Sequence, residues 1–213
     1  MQELKGSFVA LVTPMKSNGE IDFPALKELV EWHIESGTHG LVSVGTTGES
    51  ATLNFNDHVK VLEKTISYID NKIVAIAGTG ANSTDEAIEL NKAASSIGYE
   101  FALSVTPYYN KPNQLGLEAH YKKIADSSVI KNILYNVPSR TACDLEPETV
   151  NKLIHHENIV GIKEAVDDPK RYKALIKMAK NSSEPFYVLS GDDPTYFEFM
   201  KSGGDGVISV AAN

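Results

Sequence analysis

The sequence predicts an α/β protein built as a closed (β/α)8 TIM barrel. Short β-rich apolar runs alternate with longer amphipathic segments along all 213 residues, from near the start to the end. Such alternation calls for a parallel sheet, because parallel neighbours need a long crossover connection. The runs recur about every thirty residues, which fits a closed barrel better than an open doubly wound sheet. No linker, low-complexity tract or shift in composition divides the chain, so a single domain over residues 1–213 is expected.

The expected strands are Phe8–Val12, Gly40–Val44, Ile73–Ala77, Phe101–Val105, Asn132–Asn136, Ile159–Lys163, Tyr187–Ser190 and Gly206–Val210. Helices are expected between them at Pro24–Ser36, Asn56–Tyr68, Ser83–Ile97, Gln114–Ser127, Glu146–His155, Pro169–Lys180 and Pro194–Ser202. Leu26, Leu29, Val30 and Ile34 recur at helical spacing after Asp22 and Pro24, as do Val59, Leu62 and Ile66 after Asn56. Ser83-Thr84-Asp85-Glu86 resembles a capping box, opening a helix whose inner face carries Ala87, Leu90 and Ala94. The sequence stops at Asn213, directly after the eighth strand, so the last barrel helix has no residues to form it. A parallel sheet normally has its outer face covered. The expectation is a barrel truncated after strand eight, either a piece of a longer chain or a chain covered by something else.

A hydrophobic fraction of 42% and a charged fraction of 23% are those of an ordinary globular protein. A net charge of −8 without a basic run argues against nucleic acid or an anionic membrane as partner. No apolar stretch reaches the length of a membrane span, and Met1–Ser7 has no charged-then-apolar export pattern, so a cytoplasmic location is the default. The lone Cys143 excludes an internal disulfide and a cysteine-built metal site, and reads as a packing residue. His33, His39, His58, His120, His155 and His156 form no ligand-like pattern with carboxylates, so no metal is expected; His155-His156 reads as an exposed helix end.

Lys163 is the residue that points to chemistry. It ends the apolar run Ile159-Val160-Gly161-Ile162, and lysine is almost never buried without a reason. Its plain reading is the place where a strand meets water. The alternative is a desolvated amine, shifted from a pKa of about 10.4 toward neutrality and able to form a Schiff base with a carbonyl compound. Strand alternation points Ile133, Tyr135, Gly161 and Lys163 inward, with Leu134 and Glu164 outward, and Gly161 reads as the residue leaving space beside the lysine stem. Tyr135 then reaches the same substrate and can shuttle protons during imine formation. The protonated imine is an electron sink, and the derived enamine can attack an aldehyde. After strand two, Gly45-Thr46-Thr47-Gly48-Glu49-Ser50 reads either as a tight turn or as a cradle of amides for a carboxylate, which would make a 2-keto acid the donor. No lysine follows in P-loop spacing. Gly78-Thr79-Gly80-Ala81-Asn82-Ser83 is a weak partial match to a dinucleotide fingerprint.

Together with Thr106-Pro107-Tyr108-Tyr109-Asn110, Tyr135-Asn136-Val137-Pro138-Ser139-Arg140-Thr141 and Gly161-Ile162-Lys163-Glu164-Ala165, the glycine-rich turn resembles the dihydrodipicolinate synthase (4-hydroxy-tetrahydrodipicolinate synthase) family. Ser190-Gly191-Asp192-Asp193 and Gly206–Val210 extend the resemblance over essentially the whole chain. The resemblance implies condensation of pyruvate with L-aspartate 4-semialdehyde on the way to diaminopimelate and lysine. It implies an imine on Lys163, no cofactor, and a proton relay of Tyr135, Thr46 and Tyr109, the last from a neighbouring subunit. Thr47 would contact the pyruvate carboxylate, Arg140 the aldehyde's carboxylate, and Gly191 and Ile208 would line the pocket. A homotetramer, as a dimer of dimers, is implied as well. Ser50, Ala51, His58, Asn82, Glu86 and Tyr108 match positions of a lysine-binding regulatory pocket, with Phe55 in place of a common histidine. Against that stands the reading of Glu86 as an exposed first-turn carboxylate and His58 as a solvated helical residue. N-acetylneuraminate lyase and sugar-acid aldolases share the imine lysine and the turn; Arg140 favours the synthase over them. A catalytically silent fragment of the synthase is the remaining alternative.

Overall fold

The computed structural model describes residues 3–213; Met1 and Gln2, which open the segment read as lacking an export pattern, lie outside them. The chain is a closed barrel of parallel strands in sequence order, β8 pairing back to β1. The strands are β1 (Gly6–Ala10), β2 (Gly40–Ser43), β3 (Val74–Gly78), β4 (Phe101–Val105), β5 (Lys131–Asn136), β6 (Ile159–Glu164), β7 (Tyr187–Ser190) and β8 (Gly206–Ser209). Around them lie α1 (Phe23–Glu35), α2 (Phe55–Ile69), α3 (Thr84–Ile97), α4 (Gln114–Asp126), α5 (Pro138–Thr141), α6 (Pro147–Leu153), α7 (Pro169–Asn181) and α8 (Tyr196–Lys201).

Side-chain alternation sorts the apolar residues into three layers. Phe8, Val42, Ile76, Phe101, Ile133, Tyr135 and Ile208 fill the barrel interior. Val9, Leu41 and Ala77 pack outward under α1, α2 and α3 against Leu26, Val30 and Leu62. Leu134, Ile162 and Val188 pack outward under α4, α6 and α7 against Leu117, Leu153 and Leu175. The inward–outward assignment of Ile133, Leu134 and Tyr135 therefore holds. Caps stop the helices where short polar side chains supply acceptors: Asp22 accepts from the Ala25 amide, Asn54 from Asp57, Ser83 from Glu86 and Asn113 from Gly116.

Several boundaries differ from expectation for identifiable reasons. β1 starts at Gly6 rather than Phe8, and Val12 gives its amide to the Asn213 side chain (2.9 Å) instead of a strand partner. Asn213 also donates to the Ala10 carbonyl (2.8 Å), so one side chain bridges β1 to the turn after β8. α8 begins at Tyr196 because Asp192 takes both the amide and the hydroxyl of Thr195. α5 was not expected: Pro138 at its first position presets the dihedral, and Ala142 ends it in the left-handed region at φ 54°. Among the described residues no helix follows β8.

One irregularity governs the site. Asn132 pairs with Ile159 but Ile133 pairs with Gly161, so Val160 is an extra residue in β6 and the strand is bulged there. Downstream of the bulge Tyr135 lies opposite Lys163 and Asn136 opposite Glu164.

Candidate active site

Lys163 sits near the carboxyl end of β6, only 3% exposed, with Nζ 4.3 Å from the centroid of the Tyr135 ring. Burial pulls its pKa down to about 7, against an upward pull from Asp193 and with a further downward push from the Arg140 charge. Burial thus brings the amine's titration toward neutral pH, and at 3% exposure the strand-meets-water reading of Lys163 fails. Burial raises the Tyr135 phenol's pKa, opposed by the Arg140 charge and by hydrogen bonding with Thr46. The phenol stays protonated and can donate.

Gly161 does not make room for the lysine stem. A side chain on Gly161 would run into the Tyr187 backbone, whereas one on Gly191 would lie 2.8 Å from Lys163 Cε and 3.1 Å from its Cγ. The glycine that admits the amine therefore comes from the end of β7, not from the lysine's own strand. The Gly191 amide donates to the Glu164 carbonyl (2.7 Å), holding that approach in place. Ile208, fully buried, lies in the barrel interior with Tyr135.

The Gly45–Ser50 turn is shaped by backbone. Val44, a β-branched residue, is held at φ 52°, a strained conformation of the kind found beside functional sites. Gly78 must be glycine for this to fit, because a Cβ there would collide with the Val44 carbonyl. Thr13 donates its hydroxyl to the Gly48 carbonyl (2.7 Å), and Glu49 donates its amide to Thr46. Among the described residues no protein group accepts from the amides of Thr46 or Thr47, which leaves both for a carboxylate. Gly78 and Gly80 are explained by close backbone approach to Val44 and Val105, so the partial dinucleotide fingerprint is strand packing.

Arg140 is exposed on α5 and shares a cavity of about 340 Å³ with Thr46, Val137, Ser50, Ala51 and Tyr108. Thus Lys163, Tyr135, Thr46 and Arg140 lie in one region, while Tyr109 does not line the cavity within this chain. Tyr109 is 89% exposed and held at φ 73°. Asn82, Glu86 and Tyr108 are neighbours, the Tyr108 phenol being pushed up by burial and by the Glu86 charge. Glu86 is exposed, but His58 is not the solvated helical residue allowed for: it is buried and donates from Nε2 to the Gly78 carbonyl at 2.7 Å. Phe55 is exposed.

Sequence reasoning assigned no role to Asp193. Its carboxylate is partly buried, which disfavours charge, yet Ser209, the amides of Ala211 and Val210, and Lys163 hold its pKa below the usual range. The available signal was a second carboxylate next to Gly191 at the end of β7. Among the described residues no group of three or more His, Cys, Asp or Glu converges as a metal ion requires, and no helix is long and apolar enough to cross a membrane.

Residues 3–213 match the model of the dihydrodipicolinate synthetase family. A 4-hydroxy-tetrahydrodipicolinate synthase of Shewanella sp. (strain MR-4) is 53% identical over 210 residues, 99% of this chain and 70% of the relative. The chloride-inhibited dihydrodipicolinate synthase of Acinetobacter baumannii, solved with pyruvate, superposes with a TM-score of 0.95 at 52% identity, covering 99% of this chain and 71% of that one. The enzyme of Cyanidioschyzon merolae, solved with lysine bound, gives 0.92 at 37% identity, over 98% of this chain and 70% of that one. With that match over residues 3–213 and a closed parallel barrel in common, the chain belongs to the dihydrodipicolinate synthetase family.

Proposed function

We propose that this chain condenses pyruvate with L-aspartate 4-semialdehyde to 4-hydroxy-tetrahydrodipicolinate through a Schiff base on Lys163. The observation that carries this is the buried amine with a pKa of about 7, stacked against the Tyr135 ring. The free amine attacks the ketone carbon of pyruvate, and loss of water forms the imine. Tyr135 and Thr46 pass protons to and from the carbinolamine oxygen, with Tyr109 of a second subunit completing the relay. The unpaired amides of Thr46 and Thr47 receive the pyruvate carboxylate, and Arg140 meets that of the aldehyde. Gly191 and Ile208 shape the wall. The imine itself is the electron sink, so the chemistry requires no cofactor or metal.

Tyr109 supports assembly of at least two copies, since it is left exposed within its own chain. The grouping of Asn82, Glu86 and Tyr108, with Ser50 and Ala51 on the cavity shared with Arg140, supports a lysine effector site. Borohydride reduction in the presence of pyruvate, followed by peptide mapping, tests the reading: the adduct falls on Lys163. An adduct elsewhere, or none, overturns it. Supplying aspartate semialdehyde with pyruvate, and neuraminate separately, distinguishes the synthase from a neuraminate lyase by which substrate turns over. Inhibition by millimolar lysine tests the effector site.

A further inference from the structure

The outer face of the barrel carries a polar network that the proposed reaction does not use. Tyr135 and Lys163 face inward at opposite positions on β5 and β6; the residues directly after them, Asn136 and Glu164, are also opposite and face the helices. Both are fully buried. Asn136 donates from Nδ2 to Glu164 Oε1 (3.0 Å) and to Asp144 Oδ1 (2.9 Å), and accepts the Leu145 amide on its own oxygen (2.9 Å). Arg171 reaches in from the first turn of α7, donating from Nε to Glu164 Oε2 (2.7 Å) and from Nη1 to Asp144 Oδ2 (3.0 Å), and contacting the Leu145 carbonyl through Nη2. The Val166 amide donates to Glu164 Oε1 (3.0 Å).

A buried ion pair is a poor source of net stability, because desolvation offsets most of the Coulomb attraction; what it supplies is a fixed arrangement. Burial pushes the Glu164 pKa up while Arg171, Asn136 and the Val166 amide pull it down, leaving it above the ordinary value. Both oxygens are nonetheless directionally occupied. Each link is attached one residue away from a reacting side chain, so a shift of Glu164 against Asn136 is carried along the backbone to Lys163 and Tyr135.

We propose that Glu164, clamped by Asn136 and Arg171, is a positioning residue that sets the register and separation of Lys163 and Tyr135 from outside the barrel. It touches neither substrate nor the reacting amine. The inference rests on the imine role of Lys163 given above. Misplacement by about an ångström of a reacting pair costs on the order of 10²-fold in rate.

The test measures the rate at which borohydride traps pyruvate on Lys163, per folded molecule, at temperatures well below the melting transition of each variant. Glu164→Ala is expected to slow trapping about 10- to 100-fold while the half-saturating pyruvate concentration moves less than about threefold. Glu164→Gln keeps the side chain's length and one acceptor oxygen but sets an amide N–H against either Arg171 or Asn136, and its rate is expected to fall between those of the alanine variant and the wild type. The pH midpoint of trapping stays where the wild type has it in both variants. A wild-type rate in Glu164→Ala, or a shifted pH midpoint of trapping in either variant, overturns the positioning role. Should Glu164→Ala fail to fold, Arg171→Lys decides: it keeps the charge but loses the fork, and a rate within about twofold of wild type overturns the proposal. If the wild-type chain itself traps no pyruvate on Lys163, the imine reading fails first, and the two failures are told apart.

Discussion

At the ends of β5 and β6 the geometry of the site is made by side chains: Lys163 and Tyr135 inside, with Asn136, Glu164 and Arg171 behind them. At the end of β2 it is made by backbone, through a left-handed Val44, glycines at positions 45, 48 and 78, and two amides with no partner. The difference follows from what each side handles. A nucleophilic amine must be kept dry, and dryness needs a packed wall. A carboxylate needs several donors at short range, and only a turn freed of Cβ atoms brings amides that close. The first region is vulnerable to changes of charge and shape, the second to a single methyl group.

The comparison breaks most decisively at the amine. Lys163→Met is expected to abolish the pyruvate adduct and lower turnover at least about 10³-fold, measured by intact mass after borohydride and by steady-state kinetics. The same variant is expected to unfold at higher urea concentration, by about 1–3 kcal/mol at pH 7, since a buried ionisable group is replaced by an apolar one of similar length. Loss of stability together with loss of the adduct would show that the amine contributes to packing instead. Next in size, Tyr135→Phe is expected to slow imine trapping about 10²-fold without moving its pH midpoint.

On the backbone side, Gly78→Ala forces its methyl into the Val44 carbonyl. It is expected to cost about 2–3 kcal/mol in urea unfolding and to raise the half-saturating pyruvate concentration more than it slows the step at saturation. An unchanged pyruvate requirement would mean that the turn does not hold the carboxylate.

pH supplies a subtler probe. The lysine's folded pKa, about 7, lies below its unfolded value of about 10.4. Trapping should rise with pH through a midpoint near 7, as the ammonium loses its proton. Between those two values the unfolded chain binds more protons at this position than the folded one, so Lys163's contribution makes stability rise with pH across that window. Lys163→Met should flatten that portion of the curve. The smallest effect is reserved for the exposed Lys123–Asp85 pair, where Asp85→Ala should change stability by less than about 0.5 kcal/mol.

The barrel was legible because its strands are apolar on both faces and its helices are amphipathic, so period and punctuation agree along the chain. Lys163, Tyr135 and the glycine-rich turn were legible because each is a residue type out of place in its surroundings. What escaped was whatever depends on residues distant in sequence. Gly191 approaches the lysine stem only once β7 is laid beside β6. His58 reads as either a regulatory-pocket residue or a solvated helical one until its ring is seen against the Gly78 carbonyl, which removes the solvated reading. Glu164 carries no local mark at all; its partners arrive from β5, the following loop and α7.

The bulge at Val160 has a consequence for how this site tolerates insertions and deletions. Were β6 to continue in the register set by Asn132 and Ile159, with no bulge to absorb Val160, Ile162 would stand opposite Tyr135, and the amine would be turned out of the barrel beneath α7. The bulge, by taking Val160 out of the pairing, decides which compartment the nucleophile occupies. A residue inserted below Lys163 would need a further bulge to absorb it, whereas loss of Val160 would leave a regular ladder with Lys163 still opposite Tyr135.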